Sequence, residues 1–418
     1  MFPSVSGAWK ISNENFLKNI SWINLLKLRA SWGKTGQDNL GSSLYGSYAP
    51  NNFKVNFSDN GIINIPYVSM GANYPDVSWQ KTTMKNIGLD FYLLSDRISG
   101  SFDFFRNDIT RLLGYASTSP LAIYETRPIN GGHYYRRGWE LMVDTKNLVG
   151  EFTWDTSLTF SKTNSFWKER LPNYDYQIYQ QRENEPMSAY YYYNVTGIIN
   201  TDRSNMPESQ KTLQAEAQLP GCPIIEDKNK DGKIDENDVY MKDNSPAIYV
   251  GIGNTFTYKR FEFSFFMYGQ FGIQKYNIAY SAAQAGPLAV DYPENSNKFA
   301  YRLWNSQTNP NGSRPGLAIG KMGALPGNAW VNADRENASF MRMRNITLAY
   351  NLAGNILGSL QRYVRNIKVY VDAQNPFILT KFQGFDPEIY TGGGGASGGS
   401  RGEYPQTRTF SLGANITF

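Results

Sequence analysis

Apolar and polar side chains alternate residue by residue over much of this chain, most plainly at its end. Phe410, Leu412, Ala414, Ile416 and Phe418 fall on one face of an extended segment, and Thr409, Ser411, Gly413, Asn415 and Thr417 fall on the other. A β-strand sends successive side chains to opposite sides, so a period of two predicts a strand with one apolar and one polar face. The segment stops on the aromatic Phe418. A strand of roughly 9–11 residues with this pattern suits a membrane-spanning barrel, apolar towards lipid and polar towards a hydrated lumen.

The same period predicts nine further strands, at residues 26–33, 82–94, 97–107, 135–145, 151–162, 247–259, 261–272, 340–352 and 366–377. Ile87, Leu89 and Phe91 share a face in one of them, and Phe152, Trp154, Leu158 and Phe160 in another. Connections alternate between short and long. The short ones are Ser95-Asp96, residues 146–150, Arg260 and residues 353–365; the long ones lie near 34–81, 108–134, 163–246, 273–339 and 378–407. A soluble sandwich has no reason to gather its long loops at one end, whereas an outer-membrane barrel places short turns inside and long loops outside. The expected fold is therefore all-β: an antiparallel transmembrane β-barrel, partial, of about ten C-terminal strands.

Composition supports strands rather than helices as the spanning element. Aromatics make up 15% of the 418 residues, with 29 Tyr, 24 Phe and 9 Trp, which fits girdles at two membrane interfaces. Mean hydropathy is −0.49, and no run approaches the roughly 18 apolar residues that a spanning helix needs. Cys222 is the single cysteine, so no internal disulfide forms. The net charge of +5 is scattered, which argues against a nucleic-acid surface. Residues 1–10 carry no basic region followed by an apolar one, hence no secretory signal. An exported barrel needs one, so the chain reads as the C-terminal piece of a longer protein.

One motif carries chemistry. Residues 227–238 match a twelve-residue calcium loop at most ligand positions. Asp227, Asn229 and Asp231 would supply side-chain oxygens and Lys233 its carbonyl; Asp235 would act through water, and Asp238 would close the site. Gly232 permits the turn, and Ile234 packs inward. Asp238 stands where the longer Glu is usual, which lowers the expected affinity, and the flanking prolines leave little room for helices. The plainer reading is an acidic turn whose side chains satisfy their own backbone. His133 is the only histidine, which excludes two-histidine metal sites; it reads as a polar residue at a loop edge. No catalytic residue is assigned. Tyr190 to Tyr193 offer aromatic faces for stacking on sugars or peptides, or for packing over the barrel mouth. The glycine-rich run 391–400 reads as a flexible loop.

Several short motifs occur in a telling order: Phe2-Pro-Ser-Val-Ser6, Leu28-Arg-Ala-Ser-Trp-Gly-Lys-Thr-Gly36, the acidic loop, Ala338-Ser-Phe-Met-Arg-Met-Arg-Asn-Ile-Thr-Leu-Ala-Tyr350, Gln374-Asn-Pro-Phe377, Gly384-Phe-Asp-Pro-Glu388, Tyr404-Pro405 and the terminal strand. As an ordered set they resemble the C-terminal part of a SusC/RagA-type TonB-linked outer-membrane protein. That resemblance implies a 22-stranded barrel filled by a plug domain absent here, and import of large nutrients, glycans or oligopeptides, in the cell outer membrane. It implies TonB acting through the N-terminal part, a SusD-like surface lipoprotein as lid, and outer-membrane lipid around the wall. Arg29, Asp90, Asp103, Glu140, Asp155 and Asp372 would then wet the lumen. Two rival readings remain. One is a complete ten-stranded outer-membrane barrel enzyme; the other is a soluble, calcium-stabilised β-rich adhesin or sugar-binding domain, whose apolar strand faces would pack against a second sheet.

Overall fold

A computed structural model describes residues 2–38, 48–50, 57–59, 62–64, 67–69, 77–117, 126–172, 176–180, 184–277, 301–316, 325–326, 330–332, 335–353, 357–358, 362–384, 386–388 and 406–418. The glycine-rich run 391–400, Phe385 and Tyr404-Pro405 lie outside the described residues.

One antiparallel sheet dominates. Its strands are β1 (Ser4–Lys10), β2 (Ile23–Gln37), β3 (Gln80–Leu93), β4 (Ile98–Ser117), β5 (Thr126–Leu148), β6 (Phe152–Glu169), β7 (Ile248–Tyr258), β8 (Phe261–Phe271), β9 (Phe340–Ala353), β10 (Asn366–Gln374) and β11 (Thr409–Thr417). Each pairs with the next, which is the topology of an up-and-down barrel wall. A short strand, Ile378–Thr380, continues the pairing along the start of β9. Among the described residues no helix is long and apolar enough to cross a membrane.

Register decides what each face carries. Trp9, Leu28, Leu89, Phe102, Leu141, Phe160 and Val250 are successive cross-strand partners, so the apolar positions of seven strands form one row. The row one residue away holds Arg29, Gly88, Asp103, Glu140 and Ser161. A one-residue slip would exchange the two faces, so the pattern itself pins the register. On β11, Phe410, Leu412, Ile416 and Phe418 are 75%, 78%, 51% and 78% exposed. Among the described residues no second sheet covers them, as the barrel reading expects and the soluble adhesin reading does not. Near the short turns the apolar face ends in an aromatic belt. Trp154 stacks on Phe256 at 5.7 Å, and Phe261 lies 4.7 Å from Tyr350. The Trp154 Nε1–H donates to Asn254 Oδ1 at 2.8 Å, giving the ring the polar anchor an interfacial tryptophan needs.

All ten predicted strands form, but three features differ. β1 was not expected, because Ser4–Lys10 offers only Val5 and Trp9 as apolar signal; it exists because β2 pairs with its full length. β4 and β5 run well into the interval read as a loop, 108–134, across a paired kink where Arg111 and Gly132 both adopt left-handed φ, +55° and +73°. That kink interrupts the period of two, and beyond it Leu112, Ala116 and Ile129 are buried. β6 likewise reaches Glu169, inside the interval 163–246.

Between β6 and β7, at the long-connection end, the chain builds a lobe. Ala189–Tyr193 pairs antiparallel with Tyr240–Asp243 and parallel with Trp330–Val331, and Val195–Ile198 pairs with Pro223–Ile225. Its core contains Tyr179, Tyr193, Leu213, Ile225, Ile234 and Val239. Asp243 ties the lobe to the wall, accepting from Asn164 of β6 at 2.9 Å and from Ser188 at 2.7 Å.

Candidate functional site

The polar face of the sheet holds a charge network built across strands. Arg29 on β2 donates through Nε to Asp90 of β3 at 2.9 Å and through Nη2 to Asp103 of β4 at 2.8 Å. Lys27 reaches Asp90 at 3.3 Å. Arg29 spans two strands because Gly88 lies between them. A Cβ at residue 88 would stand 2.4 Å from Asp103 Oδ1 and 2.7 Å from the Arg29 guanidinium. The fork geometry of guanidinium suits this bridging of two carboxylates. Nearer the short turns a cleft of about 380 Å³ is lined by Asp144, Asp155, Ser157, Thr255, Ser264 and Asn345. Asp372 accepts from Thr347 Oγ1 at 2.6 Å. Sequence patterning placed Arg29, Asp90, Asp103, Glu140, Asp155 and Asp372 on this face; the structure adds which of them pair.

A second cluster was not anticipated. Arg342 on β9 is 3% exposed and donates to both oxygens of Asp386, at 2.7 and 2.8 Å, and to Glu388. The Tyr268 hydroxyl of β8 also donates to Glu388. The amides of Glu388 and Gln406 donate to Asp386 at 2.9 and 3.2 Å. Asp386 and Glu388 are thus latched to the wall. Burial pushes the nearby Lys275 ammonium down from its ordinary value, against the pull of Glu388 and Asp386. Both motifs were visible in the sequence, but nothing in a period of two shows that residues 342 and 386 meet.

The acidic loop sits on the lobe. Asp227 Oδ2 accepts the Gly232 amide at 2.9 Å, Asn229 Oδ1 that of Asp231 at 3.1 Å, and Asp231 Oδ1 that of Lys233 at 3.1 Å. Asp235 accepts from Asn237 at 2.8 Å and caps a short turn of 3₁₀ helix, Glu236–Asp238. Asp238 is fully buried and accepts the amides of Lys228 and Asp235 at 2.9 and 2.8 Å. Lys230 and Gly232 supply the two left-handed residues, at φ +60° and +86°. Ile234 is buried in the lobe core. Lys233 Nζ lies 2.9 Å from Asp235 and 4.0 Å from Asp231. That contact raises the lysine and, with the Asn237 amide, holds the Asp235 carboxyl below the usual carboxylate range. Among the described residues, no three Asp, Glu, His or Cys side chains gather as metal ligands would. The donor set is nonetheless all oxygen, and Asp227 Oδ1 is buried with no hydrogen-bond partner. An orphaned carboxylate oxygen in an oxygen-only loop fits a hard cation.

The tyrosines are used by the protein itself. Tyr190 stacks on Tyr192 at 5.3 Å and Tyr192 on Tyr240 at 5.7 Å. Arg335 lies 3.7 Å above Tyr190, and Lys228 lies 4.7 Å from the Tyr240 ring. Cations therefore flank the ladder at both ends. Tyr193 is fully buried, and burial, reinforced by Asp238 and Glu236, pushes its hydroxyl well above the ordinary tyrosine value. His133 lies within β5 rather than at a loop edge, its Nε2 3.5 Å from Asp108 Oδ1.

An apolar outer face, a charged inner face and nearest-neighbour antiparallel pairing define the class: the wall of an outer-membrane β-barrel. No family model matches the chain. It is 29% identical over 429 residues to the TonB-dependent receptor SusC of Bacteroides thetaiotaomicron, covering all of this chain and 40% of that protein. It is 26% identical over 437 residues to the TonB-dependent receptor P3 of Formosa agariphila, covering all of this chain and 42% of the relative. Its fold matches the RagAB peptide importer in the closed-closed state with a TM-score of 0.75 at 19% identity, over all of this chain and 43% of that one. The chain spans about two fifths of the length of the curated relatives it matches. Its ordered motifs and its sequence are similar to SusC and its fold to the RagAB importer, and its place is the outer membrane.

Proposed function

We propose that this chain forms part of the wall and outer lobe of a TonB-dependent importer of large nutrients, glycans or oligopeptides. One observation carries the reading: the sheet sets a bridged charge network, Lys27, Asp90, Arg29 and Asp103, directly behind a continuous apolar face. Such a wall keeps lipid on one side and a hydrated passage on the other. Pairing Arg29 with two carboxylates neutralises the network locally, so the wall presents hydrogen-bonding groups rather than a strong field of one sign. The chain binds and orients; the relatives are named as receptors and an importer, and no catalytic step is assigned to it. Energy from TonB would enter through residues outside this chain, and a SusD-like lipoprotein would cover the mouth above the lobe. Strains lacking the gene are expected to lose uptake of fluorescent glycans or oligopeptides, with restoration by the intact gene. Uptake of both classes at the wild-type rate in the deletion strain refutes the proposal.

The acidic loop, in this reading, holds Ca²⁺ through Asp227, Asn229, Asp231, Asp235 and Asp238 with the Lys233 carbonyl, and fastens the lobe. Bound Ca²⁺ would supply countercharge to the carboxylates. The buried, unpartnered Asp227 Oδ1 supports this, while Lys233 Nζ competes for the same oxygens and weakens it. Calorimetry should give binding that Asp231→Ala reduces at least tenfold; equal binding by the variant removes the site.

A further inference from the structure

We infer that the outward face of β2–β6 binds the phosphorylated headgroup of an outer-leaflet lipid. Each of these strands carries a cation where its apolar stretch ends: Lys34, Lys85, Arg106, Arg137 and Lys162. Their outward direction follows from the register, since they share faces with Leu28, Leu89, Phe102, Leu141 and Phe160.

Three of the five are direct cross-strand partners. Lys85 pairs with Arg106, and Arg106 pairs with Arg137. Like charges placed directly opposite in a sheet repel, so such a row needs an anion. Among the described residues the one ion pair in the row is Arg106 with Asp108, at 2.9 Å. Lys34, Lys85 and Arg137 are exposed, and no described carboxylate pairs with them or with Lys162. Arg106 forks onto Asp108 through Nε and Nη2, at 3.0 and 2.9 Å, whereas Arg137 is held by a ring and by no described acid. Arg106 lies 4.4 Å from the Tyr135 ring and Arg137 lies 5.2 Å from that of Phe166. Stacking fixes the Arg137 plane and leaves its N–H edges to phosphate, while Asp108 offsets one charge of the row and Lys34, Lys85, Arg137 and Lys162 are left for the ligand.

The geometry matches a headgroup layer. On β6 the apolar face runs from Phe152 to Phe160 and meets Lys162. Ten residues at roughly 3.3 Å each, on a strand tilted by about 40°, rise about 25 Å, the height of a barrel's lipid-facing band. The cations also follow the membrane plane rather than the register. The row of Lys34 runs through Thr83, Asp108 and Tyr135 to Phe166, and Lys162 lies four residues nearer the short turn. A tilt of 35–45° shifts a level line by roughly 1.0–1.4 residues per strand, or about four to six residues over four strand spacings. The short turns step the same way: Leu93 shares a row with Thr156, four residues above the start of β6 at Phe152. Below the cations, Ile87, Phe104 and Trp139 form the next row and offer surface to acyl chains.

The test uses the full-length receptor in detergent, titrated with bisphosphorylated lipid A and with the same lipid dephosphorylated, read by native mass spectrometry. Wild type should prefer the phosphorylated form on the order of tenfold, and the preference should fall with salt. Lys85→Gln, Arg106→Gln and Arg137→Gln together should abolish it, while Lys259→Gln at the opposite end should leave it intact. Folding of each variant is read from heat-modifiable migration. If the triple variant does not fold, Arg137→Gln alone should still lower the preference severalfold. Equal binding of the two lipids by wild type, an unchanged preference in the folded variants, or displacement by inorganic phosphate would overturn the inference.

Discussion

Replacing Arg342 with methionine should release the segment around Asp386 while sparing the sheet. The methionine keeps much of the side-chain stem but strands two carboxylates that are only 5% and 17% exposed. Removing one partner of a buried ion pair costs about 3–5 kcal/mol, because the desolvated charge that remains has no compensation. Tyr268 still donates to Glu388, which places the expected cost at the lower end. At about 1.4 kcal/mol per tenfold, 3–5 kcal/mol raises the open population of the segment roughly a hundredfold to several thousandfold. Hydrogen exchange of the Glu388 and Gln406 amides reads this directly, since both donate to Asp386. The expected result is exchange faster by at least a hundredfold at these two amides, with β11 unchanged. Adding Asp386→Asn and Glu388→Gln to Arg342→Met should restore part of the protection by removing the stranded charges. Exchange within threefold of wild type would show that the cluster does not latch the segment. Faster exchange throughout the sheet would show that it holds the wall instead, and would refute the argument equally.

Two further outcomes test the packing. Gly138→Ala should cost about 1–3 kcal/mol and lower the heat-modifiable fraction, because its Cβ would meet the Lys162 carbonyl at 2.2 Å and the Phe105 ring at 2.8 Å; Gly7→Ala, with nothing within 4 Å, should be neutral. Cys222 is fully buried, and its thiol is pushed above the ordinary value of 9.0 by burial. The folded state therefore holds the thiol proton more tightly than the unfolded chain, so this contribution to stability is present below pH 9 and is lost as pH rises above it. Iodoacetamide should label the native protein at least tenfold more slowly than the denatured one, and equal rates would show that the lobe opens freely.

Much of the wall was legible in the sequence because alternation is a local property. Phe152, Trp154, Leu158 and Phe160 share a face wherever the strand is placed. β1 was not legible, since Val5 and Trp9 alone do not make a pattern; its partner β2 supplies the order. The extensions of β4 and β5 were hidden by the left-handed residues Arg111 and Gly132. The acidic loop was readable as a motif, down to the inward Ile234, because its residues act over twelve positions. The lysine that sits on Asp231 and Asp235 was not, because a flexible ammonium finds its partner only in three dimensions.

The sequence by itself determined that this chain is made of two-faced strands joined by alternating short and long connections, because side-chain direction in a strand is set by the covalent chain. Tertiary structure alone decided which strands lie side by side and in what register. From that came the bridge of Arg29 to Asp90 and Asp103, the latch of Arg342 on Asp386, and the line of cations at the edge of the apolar band. Each joins residues distant in the chain, and a period of two carries no information about distance.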